Sequence, residues 1–129
     1  MGISVSELEK SLLSLEEAMQ LMKQSNLQDK AVQKALRDAC IQRFEYCVEL
    51  SWKTTLKVLG STTAAAKPAV REMARNNLIQ SPDLWLTFID SRNETSHAYD
   101  EDVAQKVFTN IRVFIPHAKD LLVAIKRLP

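Results

Sequence analysis

The stretch from Gln28 to Leu59 holds neither glycine nor proline and ends on Gly60, one of only two glycines in the chain. Leu36, Cys40, Phe44, Cys47, Ser51, Thr54 and Val58 recur at three- and four-residue steps along it, with Val32 ahead of them. That spacing places them on one face of a single long helix, and Gly60 supplies the left-handed residue that closes it. A chain committed to a helix of this length, with so few turn-forming glycines, folds as an all-α protein.

The remaining segments follow the same rule. Leu8, Leu12, Leu15, Met19 and Met22 form one stripe over roughly Ser6 to Gln24, with Glu9, Lys10, Glu16 and Lys23 off it, and Ser25-Asn26 ends that helix. Ser61-Thr62-Thr63 is the main loop. A third helix starts near Lys67-Pro68 and reaches Asn76-Asn77. Ser81-Pro82 supplies a cap and a first-turn proline for a fourth, whose buried side is Leu84, Trp85, Phe88 and Ile89. Asp100 caps a fifth, with Glu101 and Asp102 near its positive end and Val103, Val107, Ile111, Phe114, Ala118 and Leu122 as its stripe. Pro116 predicts a kink or break within it. The expected architecture is an up-and-down bundle of about five helices, one domain over residues 1–129.

Composition narrows the function. A formal net charge of +1 excludes broad electrostatic capture of nucleic acid, so any RNA contact is local. No apolar run approaches the ~18 residues of a membrane span. Gly2 with Ser6 fits the loose N-myristoylation pattern, but Ser6-x-x-Glu9 reads better as a capping box, and no basic cluster offers a second anchor. Cys40 and Cys47 lie seven apart, ~10 Å along one helix, too far for a disulfide within it. They read as small core residues of a cytoplasmic protein. No cluster of metal ligands or cofactor motif is visible.

Chemistry concentrates between the fourth and fifth helices, in Asp90-Ser91-Arg92-Asn93-Glu94-Thr95-Ser96-His97-Ala98-Tyr99-Asp100. Arginine is a permanent planar cation suited to phosphate, and histidine can take or give a proton. On an unbroken helix Arg92 and His97 would point roughly 140° apart. The segment therefore straddles a helix end or works across a subunit interface. The plainer alternative pairs Arg92 with Glu94 or Asp90 and leaves His97 as a helix-end residue. Thr95 and Ser96 fit local backbone hydrogen bonding. His117, beside Pro116, reads as structural. Glu45, Glu49 and Lys53 follow at i, i+4, i+8, as an exposed ion-pair ladder or as groups beside a cleft. Trp52 reads as packing, and Tyr99 is equally compatible with a buried or a surface position.

Arg92-x4-His97-x-Tyr99, with Asn93 directly after the arginine, resembles the active-site motif of HEPN domains. More narrowly, it resembles the HEPN subfamily of nucleotidyltransferase substrate-binding proteins, helical toxins paired with a minimal nucleotidyltransferase antitoxin. Arg43-Phe44-Glu45-Tyr46, Glu49-Leu50-Ser51-Trp52-Lys53, Pro68-Ala69-Val70-Arg71-Glu72 and Leu84-Trp85 extend the resemblance over residues 5 to 127. It implies a homodimer with a shared cleft and an RNA substrate. It also implies metal-independent cleavage by Arg92 and His97, with Asn93 orienting phosphate or imidazole. Glu45, Glu49, Lys53 and Ser96 are then candidate substrate contacts, and Tyr99 is a candidate acceptor of AMP from the partner. Two other readings stay open: a non-catalytic subunit presenting substrate to the transferase, and a helical dimerisation module.

Overall fold

The computed structural model describes residues 5–129. Its order is α1 (Val5–Gln24), α2 (Lys30–Leu59), α3 (Ala66–Arg75), α4 (Pro82–Glu94), a 3-10 turn (Thr95–His97) and α5 (Glu101–Lys126), with no strand among the described residues. Side-chain pairings fix the directions. Glu9 and Glu16 of α1 meet Lys126 and Lys119 of α5, so those helices run antiparallel. Arg37 meets Glu101 and Phe44 meets Phe114, so α2 and α5 run the same way. Ser91 meets Asn110 while Phe88 meets Phe114 and His117, so α4 runs against α5. The short α3 packs on α2 and α4.

The centre is aromatic. Phe114 meets the rings of Phe44, Trp85 and Phe88 edge-on at centroid distances of 5.2, 5.7 and 5.3 Å. These contacts pin α4, which carries Arg92, against both long helices. Cys40 and Cys47 are buried nearby, and burial pushes each thiol up to about 11. They behave as small apolar residues, with no thiolate available at neutral pH.

Most element ends fall where chain chemistry sets them. Asp29 caps α2 through Val32 N–H, Gly60 closes it at φ 68°, and Asp100 accepts from the N–H groups of Asp102 and Val103. Ser61 and Thr63 both donate to Glu72, tying the α2–α3 loop to α3.

Four local expectations change. Helix α1 already includes Val5, so Ser6 lies within its first turn instead of at a cap, and Glu9 reaches Lys126. Gly2, the residue the lipidation pattern concerns, lies outside the described residues. Val32 is 44% exposed: the apolar stripe of α2 begins further along, and the first buried residue of that helix is Arg37. Ser81 occupies the N-cap position of α4, but its hydroxyl makes no cap hydrogen bond. Helix α5 continues through Pro116 without a break. Pro116 and Arg112 are both exposed, so the carbonyl left without a helical N–H partner can be hydrated.

Candidate functional site

Arg92 sits in the last turn of α4, with Phe88 one turn before it in the aromatic centre and Ser91 beside it, buried and bonded to Asn110 of α5. Its side chain is 29% exposed and turns toward α2. There Nη1 lies 3.4 Å from Glu45 Oε2, and Nε lies 2.8 Å from Glu49 Oε1. The second contact is ionic only: the Nε–H is buried without an acceptor aligned on it. Glu49 also pairs with Lys53 at 3.2 Å and receives a long 3.5 Å contact from Trp52 Nε1. Lys53 in turn lies over the Trp52 ring.

The Glu45–Glu49–Lys53 series is therefore both a ladder and a cradle, because its two carboxylates hold Arg92. The plainer partners are engaged elsewhere, Asp90 with Lys67 and Glu94 with Lys106. Trp52 is buried, so it packs.

Beyond Glu94 the helix tightens into the 3-10 turn, and the motif does straddle a helix end. Thr95 donates to the Arg92 carbonyl at 2.7 Å and Ser96 to the Asn93 carbonyl at 3.3 Å. Both hydroxyls thus serve the helix terminus. Asn93 and His97 are exposed. The His97 ring meets Tyr99 edge-on at 6.2 Å, and Tyr99 is 87% exposed, which removes the buried alternative for that tyrosine. His117 packs half-buried against Phe88, away from this region.

Two grooves flank the motif. The larger, about 670 Å³, runs between α1 and α2 and ends at Arg92; its walls include Lys10, Ser14, Gln42, Glu45, Tyr46 and Glu49. The other, about 540 Å³, is bounded by Asp38, Ile41, Thr95, Ala98 and Tyr99. Gln42 and Glu45 line both, forming the ridge between them. Arg92 opens to the first groove and lies apart from the second. Arg92 and His97 make no hydrogen bond, ion pair or ring contact with each other among the described residues.

Two features escaped the sequence. The α1 wall, with Lys10 and Ser14, carried no motif. Arg37, on the apolar side of α2, is buried and makes two hydrogen bonds to Glu101, anchoring the segment just after Tyr99; Nη2 lies 3.0 Å from Oε1. Its signal was an arginine three residues ahead of Cys40, in line with the Cys40–Phe44 stripe. The Arg37 hydrogen bond, ahead of its charge, holds the Glu101 carboxyl below the usual range. Among the described residues, no group of three or more His, Cys, Asp or Glu side chains is placed to hold a metal ion, and no helix is long and apolar enough to cross a membrane.

A helical bundle with this terminal Arg-His turn defines a class, and comparison gives the family. The chain belongs to the family described as nucleotidyltransferase substrate binding protein like, whose model matches residues 4–127. The probable ribonuclease HepT of Haemophilus influenzae is 29% identical over 136 residues, covering 97% of this chain and 93% of its own. The solved HI0074 of Haemophilus influenzae superposes with a TM-score of 0.87 at 29% identity, over 96% of this chain and all of that one. Its structure is described as revealing the fold of a substrate binding domain of a nucleotidyltransferase. A Thermus thermophilus protein of known structure matches with a TM-score of 0.79 at 28% identity, over 93% of this chain and 99% of its own.

Proposed function

We propose that this chain is a metal-independent endoribonuclease toxin, acting as a homodimer and silenced by a minimal nucleotidyltransferase. The observation that carries the reading is the arrangement of the motif: a half-buried guanidinium at a groove end, followed by a turn that presents an exposed imidazole. RNA brings its own nucleophile. His97 takes the proton of the 2′-hydroxyl, and the 2′-oxygen forms its bond to phosphorus as the bond to the 5′-oxygen breaks. Imidazolium then returns a proton to the leaving oxygen. Arg92 neutralises charge on the non-bridging oxygens and Asn93 orients the phosphate. The products are a 2′,3′-cyclic phosphate and a 5′-hydroxyl; DNA, without the hydroxyl, is spared. A dimer completes the cleft, because within one chain Arg92 lines the α1–α2 groove whereas His97 is not among its walls.

The test is end-group analysis of RNA treated with the parent, Arg92→Ala and His97→Ala proteins, with and without EDTA. Cyclic-phosphate products from the parent alone, unaffected by chelation, are expected. Full activity in either variant overturns the mechanism.

A second reading, a non-catalytic subunit presenting substrate to a nucleotidyltransferase, draws on the pairing of Arg92 with Glu45 and Glu49. An arginine already satisfied by carboxylates meets phosphate only at the expense of those contacts. A purified parent that cuts no RNA yet supports nucleotide transfer by its partner would select this reading.

A further inference from the structure

We infer that the α1–α2 groove is a guanine-recognition site, with Glu45 and Gln42 reading the base edge and Tyr46 stacking on its face. The inference rests on the nucleic-acid reading above and deepens it by naming the base. The groove's size lies within the range of pockets that enclose small ligands, which begins at about 300 Å³. Gln42, Glu45, Tyr46 and Glu49 fall at i, i+3, i+4 and i+7 on α2, so their side chains share one face. Opposite them, α1 presents Lys10 and Ser14.

Tyr46 is 58% exposed and lines the groove, where an aromatic ring can stack on a flat partner. The two carboxylates are not equivalent. Glu49 is engaged by Arg92, Lys53 and Trp52, which makes it the anchor of the arginine. Glu45 meets Arg92 through Oε2, at the looser 3.4 Å, and its Oε1 makes no hydrogen bond or ion pair among the described residues.

An ionised carboxylate only accepts hydrogen bonds, whereas a glutamine amide also donates them. Guanine alone among the four RNA bases places two adjacent donor groups, N1–H and the N2 amine, beside an acceptor, O6. Glu45 matches the donors and Gln42 the acceptor. Adenine and cytosine each set a lone pair against the carboxylate next to their amine, and uracil brackets its single N–H with carbonyls. Acidic and basic side chains are balanced in the groove lining, so the walls do not repel a monophosphate. Exposed Lys10 and half-buried Arg43, the latter held at 2.8 Å by the Ser14 carbonyl, are available to its oxygens. Because Gln42 and Glu45 also border the groove of Thr95 and Tyr99, a guanine read there sets the adjoining phosphodiester beside the motif.

Calorimetric titration of the whole protein with GMP, AMP, CMP and UMP tests this without any cleavage step. GMP should bind about tenfold more tightly than the others, the difference expected for charge-assisted hydrogen bonds made by one base only. Glu45→Gln should erase most of that preference, and Tyr46→Ala should weaken all four nucleotides while Tyr46→Phe does not. Glu45 and Tyr46 are not core residues, and circular dichroism confirms the fold of each variant. Equal affinities for the four nucleotides overturn the inference, as does a Glu45→Gln protein that keeps the full preference. RNA cleavage without guanine preference sinks this site alone. Guanine preference in a protein that cuts no RNA leaves the site standing and removes the ribonuclease reading.

Discussion

Truncating Phe114 tests the link between the core and the site. Its ring is fully buried and makes edge contacts with three other rings, one from α2 and two from α4. Phe→Ala changes in cores cost about 3–5 kcal/mol through lost transfer energy and the cavity left behind. Each edge contact adds about 0.5–1.5 kcal/mol, but contacts sharing one ring do not sum independently. Phe114→Ala therefore belongs near the top of the range, at about 4–5 kcal/mol. Phe114→Leu keeps most of the volume and should cost about 1–2 kcal/mol, from the loss of the ring contacts. With a urea m-value of about 1.5–2 kcal/mol/M, these are midpoint shifts of about 2–3 M and about 1 M. Because Phe88 precedes Arg92 by one turn of α4, the Leu variant should also weaken phosphate-dependent binding at Arg92 while remaining folded. Equilibrium unfolding by circular dichroism reads the first effect. A Phe114→Ala midpoint within about 0.5 M of the parent, at unchanged m, would refute the claim that this ring holds the three helices together.

Removing the exposed Glu101 by Glu101→Ala should destabilise more than Arg37→Met, because it strands a buried guanidinium whose Nε–H already lacks an acceptor, whereas methionine replaces both charge and stem; thermal melts rank the two. The Glu101 and Glu72 carboxyls are depressed in the fold, so their contribution is complete above the ordinary glutamate range and is lost as pH falls from there through their lowered folded values. Melting temperature should accordingly decline below about pH 4.5, less steeply in Glu72→Gln. Native protein should leave both thiols unlabelled by a water-soluble disulfide reagent at neutral pH and release two only in denaturant; fast labelling of the folded chain would contradict their burial. If the proposed toxin reading holds, incubation with a minimal nucleotidyltransferase and ATP should add mass and abolish RNA cleavage, while Tyr99→Phe should stay active; equal silencing of that variant would move control to partner binding.

Legibility tracked how local the determining chemistry is. Helix stripes, the Asp100 cap and Gly60 depend on neighbours within one turn or two, and they were readable residue by residue. The α2 stripe failed at Val32 because exposure there depends on what packs against the start of the helix, a tertiary fact. Pro116 does not break α5: it and Arg112, whose carbonyl loses its helical partner, are both exposed, which periodicity alone does not weigh. At the site, the Arg92-to-His97 segment was found as a cluster of polar types, and its straddling of a helix end followed from the turn angle. Which carboxylates meet Arg92 was not readable, since Glu45 and Glu49 lie on another helix and Asp90 and Glu94 are nearer in sequence. Arg37 hid for the same reason: its partner is 64 residues away.

The cradle around Arg92 has a consequence for any phosphate chemistry here. A lone arginine on a chain of net charge +1 would hold counter-anions and sample many rotamers. Held by Glu49 and steadied by Glu45, it is fixed at the groove end, but part of its charge is offset. A phosphate must therefore be delivered, not captured. Affinity has to come from elsewhere on the substrate, and Glu45 Oε1 together with the exposed Tyr46 ring offers such a contact in the same groove. Drawing Glu45 toward a ligand would loosen its 3.4 Å contact and leave Nη1 free for phosphate, while Glu49 at 2.8 Å keeps the arginine in place. On that account the two glutamates, four residues apart, divide the work by how firmly each is held: Glu49 by Arg92, Lys53 and Trp52, Glu45 by the looser Arg92 contact. Glu49→Gln should then disorder Arg92 and impair every substrate, whereas Glu45→Gln should alter mainly which substrate is chosen.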